Sequence, residues 1–172
     1  MRANVGRSDS SVKRLGHCVL NVSDFRTSEA WYKERFGLIT SDEIYIDDDK
    51  SNTLGAFMRC NRGEQYVDHH TLFLVNYGEP AFHHAAFEVA DWDALMIGHD
   101  HLAEQDYEHF WGVGKHVLGS QVFDYWKDSA GFTVEHFTDG DMFNEASGSH
   151  MAELEMLKAV HWGPEAVPQV SG

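Results

Sequence analysis

The chain has 172 residues, 42% of them apolar and 24% charged, enough for one domain with a real core or two small repeated units. Its 28 acidic side chains against 13 basic ones give a formal charge of −15, which repels phosphate backbones and anionic lipid and argues against nucleic-acid or membrane partners. No apolar stretch reaches the roughly 18–20 residues that span a bilayer. The two cysteines, Cys18 and Cys60, are too few for a disulfide scaffold and fit a reducing cytoplasm.

Residues 1–14 contain Arg2, Arg7, Lys13 and Arg14 but no apolar core, so they read as a loose arm rather than a secretory leader. Leu15 to Val22 reads as a strand, and Ser23 and Asp24 follow as cap candidates. Phe25, Trp31, Tyr32 and Phe36 then mark one side of a helix that Gly37 ends. Short β-prone runs follow at Ile44–Ile46, Leu54–Cys60 and Thr71–Val75, with Asp47-Asp48-Asp49-Lys50 as a solvated turn. After Gly78-Glu79-Pro80 the pattern restarts. His84 to Val89 is a strand, Asp91 a cap, and Trp92, Leu95, Met96, Leu102 and Ala103 recur at helical spacing. Three more strands are predicted at Phe110–Val113, Gln121–Trp126 and Phe132–Thr138, and Glu153–Val160 reads as a short helix in a tail. Trp162-Gly-Pro164 is expected to tuck against the body.

The restart is an internal repeat: His17 to Phe25 aligns with His84 to Trp92, matching the His, the Val, the Asp and a closing aromatic. Each half reads β-α-β-β-β, and half a sheet this small cannot close a core alone. The expectation is an α+β fold of two βαβββ modules, about 15–80 and 81–140, packed as one domain with an arm at 1–14 and a tail at 141–172.

Twelve histidines are the unusual feature. Strand alternation puts His17, Val19 and Asn21 on one face and Cys18, Leu20 and Val22 on the other, under the helix. The repeat places His84, Ala86 and Glu88 like the first set, so His17 and His84 meet near a common axis. Glu135, inside Gly-Phe-Thr-Val-Glu, is a carboxylate that is expensive to bury unless paired or metal-bound. His70 holds nearly the same place in the last strand of the first half. Two histidines and one carboxylate with positions left open suit a non-haem ferrous ion that binds both a substrate and O2. His69 and His83 alternate away from His70 and His84 and read as supporting or packing residues. His99 and His101 read as solvated or capping, while His109, His136, His150 and His161 give no reading. Cys18, Trp31, Trp92 and Trp126 read as packing residues.

Leu-Gly-His17-Cys-Val-Leu-Asn-Val, Asp-His-His70-Thr-Leu-Phe, Phe-His-His84-Ala-Ala-Phe-Glu-Val, Gly-Lys-His116, Phe-Asp-Tyr125-Trp and Gly-Phe-Thr-Val-Glu135-His-Phe together resemble the catalytic half of a type I extradiol ring-cleavage dioxygenase. That family belongs to the vicinal oxygen chelate superfamily of paired βαβββ modules. The resemblance implies Fe(II), or Mn(II), on His17, His84 and Glu135. It puts the acid/base histidine at His70, a substrate-hydrogen-bonding tyrosine at Tyr125 and a second active-site histidine at His116. It implies cleavage of a catechol by O2 in aromatic-compound catabolism, by a cytoplasmic homo-oligomer. Typical members carry a further N-terminal paired module, so the chain resembles a one-domain or truncated member. Some also place Asn-Asp where Leu118-Gly119 stand here. Two other readings share the fold. One is a glyoxalase-like lyase or isomerase with His70 as a fourth ligand to Zn2+ or Ni2+; the other is a non-catalytic ligand-binding module.

Overall fold

A computed structural model of the chain describes residues 12–165. The expectations for residues 1–11 and 166–172 lie outside these. β1 (Val12–Asn21) starts ahead of the predicted Leu15. Asp24 caps α1 (Phe25–Phe36) by accepting the backbone N–H of Thr27, and Gly37 ends it at a φ of 64°, left-handed backbone that suits glycine. β2 (Leu38–Ile46) and β3 (Asp49–Cys60) form a hairpin whose turn, Asp47-Asp48, has φ values of 60° and 55°. β2 extends well beyond the predicted Ile44–Ile46 because its polar middle is satisfied inside the fold. The buried Arg59 guanidinium donates to the Thr40 carbonyl and the Ser41 hydroxyl. β4 (Val67–Asp68) and β5 (Leu72–Val75) complete the first half.

The second half repeats the plan: β6 (Ala81–Val89), α2 (Trp92–Glu104) capped by Asp91, β7 (His109–His116), β8 (Val122–Lys127) and β9 (Thr133–Thr138). The tail contributes β10 (Met142–Phe143), β11 (His150–Glu153), α3 (Leu154–Lys158) and β12 (Val160–Trp162), so the predicted tail helix is shorter and flanked by strands. β10 pairs with β4; the others form one mixed sheet ordered β11-β2-β3-β5-β1-β6-β9-β8-β7-β12. β1 runs parallel to β5, as β6 does to β9, and the antiparallel β1–β6 pair joins the halves. The expected α+β fold of two βαβββ units is therefore present. β11 and β12 cover the outer strands of the two units, which would otherwise offer open hydrogen-bonding edges.

Cys18, Leu20 and Val22 pack with Leu72, Leu74, Ala56 and Met58 beneath Phe25 and Tyr32 of α1, as alternation predicts. Val89 and Val122 pack beneath Ala94 and Leu95 of α2. The opposite, inner face of the sheet carries His17, His84 and His116. Trp31 and Trp92, expected in the core, are instead half-exposed. Trp31 lies against Tyr32 beneath the Arg35 guanidinium, and Trp92 lies against Trp162, because the stripes these helices bury run through Phe25 and Leu95. Trp126 is buried as expected. The tail does tuck in: the Trp111 indole N–H donates to the Pro164 carbonyl at 3.1 Å. Among the described residues no helix is long and apolar enough to cross a membrane.

Candidate metal centre

Register builds the site. His17 pairs with Ala86, Ala86 with Glu135, Glu135 with Tyr125 and Tyr125 with Trp111, so a single rank crosses β1, β6, β9, β8 and β7. His84 stands two residues before Ala86 on the same face of β6. The methyl side chain of Ala86 leaves room above it for His17 and Glu135 to close on each other. Beside them Phe137 packs on the His17 ring, and a Cβ on Gly16 would fall 2.3 Å from Phe137 Cζ, so only glycine allows that approach.

His17 Nε2 lies 3.1 Å and His84 Nε2 3.3 Å from Glu135 Oε2, and donor atoms of the three residues all lie within 4.8 Å of one another. Ligand atoms on a shared ion at about 2.0–2.2 Å stand about 2.9–3.5 Å apart, so these separations fit one divalent cation. Glu135 is fully buried, and its Oε1 and the His84 Nε2 have no hydrogen-bond partner. A buried carboxylate oxygen and a buried imidazole nitrogen left this way are costly without a cation between them. Burial alone would raise the Glu135 carboxyl, but His17 and His84 hold it well below the usual carboxylate range. Burial likewise lowers His84, favouring the neutral imidazole a metal needs.

His70 stands outside that donor set, its ring centroid 4.0 Å from that of His17. Sequence symmetry was expected to match it with Glu135, but the strand register does not. Leu72 pairs with Cys18 as Val134 pairs with Ala85, so the counterpart of Glu135 is Phe73. His70 enters from the bend before β5, displaced by the short β4 that the second half lacks. Behind it lies a relay: His69 Nε2 is 2.5 Å from Asp42 Oδ2, and His69 Nδ1 is 3.0 Å from His70 Nδ1. A carboxylate only accepts, so the Nε2 proton of His69 goes to Asp42 and its bare Nδ1 accepts from His70 Nδ1–H. His70 is left with its lone pair on Nε2. The same device recurs at His83 and His84, whose Nδ1 atoms are 2.7 Å apart. With His83 as acceptor, His84 carries its proton on Nδ1 and presents a bare Nε2 toward Glu135. His69 and His83 thus support their neighbours, as alternation suggested.

Tyr125 is buried beside this cluster, and its hydroxyl is 3.1 Å from His116 Nε2. Burial, reinforced by Glu135, holds the phenol well above its ordinary value, and burial lowers His116 to about 4. Trp111, Phe123 and Tyr125 form an aromatic wall on this inner face. All six predicted site residues therefore gather on one face. Glu88, expected to share it, sits at its end in an ion pair with Arg14 at 2.7 Å. Leu118 packs with the first half's inner-face core, and a Cβ on Gly119 would lie 3.0 Å from His69 Nδ1, so this loop backs the relay.

Sequence reasoning missed Asp42, which β2 delivers from a stretch too polar to read as a strand. It also missed a group on the outer face, where His99 and His109 flank the buried Asp124. His99 is thus bound into the fold rather than solvated.

Metapyrocatechase 2 of Cupriavidus necator is 32% identical over 161 residues, 91% of this chain and 46% of that protein, so the chain spans about half the length of this curated relative. The 2,3-dioxygenase LapB from Pseudomonas sp. KL28 superimposes with a TM-score of 0.74 at 18% identity, over 84% of this chain and 48% of that one. The Mn(II)-bound glyoxalase from Novosphingobium aromaticivorans gives 0.71 at 21%, over 97% and 53%. These two solved structures speak for the fold. The family model for the Glyoxalase/Bleomycin resistance protein/Dioxygenase superfamily matches residues 14–141, and to that superfamily the chain belongs.

Proposed function

We propose that the chain cleaves the ring of a catechol or other 2,3-dihydroxy aromatic on its extradiol side with O2, using Fe(II) held by His17, His84 and Glu135. The observation that carries this reading is the three-donor cluster with His70 and Tyr125 on its flanks and no fourth ligand among the described residues. Two imidazoles and one carboxylate are the donor set that leaves open positions on non-haem iron. A closed four-ligand centre, the isomerase alternative, needs His70 among the donors, and the cluster of donor atoms within 4.8 Å of one another holds His17, His84 and Glu135 without it.

Bound there, a ferrous ion would supply the one-electron chemistry that lets triplet O2 react with a singlet diol. The chain's own residues do the rest. Burial and the neighbouring imidazoles hold His70 well below its ordinary value, so at neutral pH its Nε2 is a free base for a substrate hydroxyl proton. Tyr125, held protonated, donates a hydrogen bond to a substrate oxygen. Trp111 and Phe123 pack against Tyr125 and His116 and set these two polar groups in apolar surroundings. The activity resides in the paired modules, about 15–80 and 81–140.

The test is anaerobic loading with Fe(II), then air and a panel of monocyclic, biaryl and bicyclic catechols. Yellow ring-opened product and stoichiometric O2 uptake are expected, both lost in His84→Ala. One iron per chain with no O2 uptake on any diol would refute the reading.

A further inference from the structure

The outer face of the second half holds donors that the inner-face centre does not use. His99 comes from α2, His109 from β7 and Asp124 from β8. His99 Nδ1 lies 3.1 Å from Asp124 Oδ2 and His109 Nε2 2.9 Å from Asp124 Oδ1, and donor atoms of all three lie within 4.8 Å of one another. We propose that His99, His109 and Asp124 form a second metal site, for a borderline divalent cation of the Zn2+ class, which fastens α2 to the back of the strand bearing Tyr125.

Several observations support it. The 3.1 and 2.9 Å separations lie in the range of ligand atoms sharing one ion, with the two imidazoles on different oxygens of the carboxylate. Asp124 is fully buried, yet among the described residues no Lys or Arg pairs with it, so no fixed positive charge answers its own. The Trp126 indole N–H donates to Oδ2 at 2.5 Å, orienting the carboxylate as an outer partner orients a ligand. Beside Asp124 on β9 stands its register partner His136, whose Nδ1 is buried with no hydrogen-bond partner and which lies on the same face. His99 and His109 keep 25% and 34% of their side-chain surface exposed, which gives an ion an entry path. Two neutral imidazoles and a carboxylate suit zinc, which needs no redox partner and takes water in its remaining position.

The test uses the full chain stripped of metal and dialysed against Zn2+, with zinc measured per chain. Wild type should bind two equivalents and His109→Gln one, with an unchanged far-UV spectrum. In His84→Ala, Zn2+ should still raise the melting temperature, because it binds the folded state. That rise should vanish when His109→Gln is added. Saturation of wild type at one equivalent, or two equivalents retained by His109→Gln, would overturn the proposal. If His84→Ala does not fold, the His109→Gln stoichiometry decides alone.

Discussion

In the first half the inner face of the sheet is Val19, Ile44, Phe57, Phe73 and Val75, closed over by Leu154 and Leu157 around α3. In the second half the same face carries His84, Glu135, Tyr125 and His116 among the rings of Trp111 and Phe123. The strand registers make Phe73 the equivalent of Glu135, and Val19 the equivalent of Ala86. One backbone plan thus serves two ends. Where the inner face is apolar it is packed shut by the tail; where it is polar it converges on a shared point. The first half gives His17 and, from the irregular bend before β5, His70.

The contrast can be broken most severely at the bend. His70→Asn should cut kcat by about 10²–10⁴-fold, the usual contribution of a positioned acid/base group, while zinc or iron per chain stays unchanged. Steady-state kinetics beside metal analysis would show this. Copying the chemistry into the packed half should fail. Phe73→Glu buries a carboxylate with no imidazole opposite it, and a loss of about 3–5 kcal/mol in urea-unfolding free energy is expected, with no extra metal bound.

A subtler break is Asp42→Asn. The amide can donate to His69, which frees the tautomer of His70 to invert. A fall of about 10–100-fold in kcat with KM little changed is expected, the range seen when outer partners of a site are removed. The smallest effect at neutral pH is electrostatic. Burial lowers His83 and His116 to about 4 from an ordinary 6.5. Between those values the unfolded chain binds protons that the folded chain refuses, so stability falls as pH drops through this window. Glu135, depressed by its imidazoles, adds to the loss below the ordinary carboxylate range. The metal-free chain should therefore show a melting temperature that declines steadily from about pH 6.5 to pH 4.

The reactive half was largely readable from the amino-acid order, and for physical reasons. His17 and His84 recur at equivalent places in a repeat, alternation assigns them a face, and a carboxylate inside an apolar strand announces a partner. The mistaken equivalence of His70 and Glu135 came from the connection before β5, whose short β4 no periodicity reveals. Asp42 was hidden because β2 is polar where it meets Arg59 and His69, so its strand character comes from tertiary partners rather than pattern. The grouping around Asp124 depends on shifted register between β7 and β8, at His109/Trp111 and Gly112/Gly114, which places residues distant in sequence side by side.

The antiparallel seam between β1 and β6 has a consequence of its own. Each of the two adjoining strands lends one imidazole, and the acid arrives from only one side. Cut along that line, neither fragment keeps a complete claw.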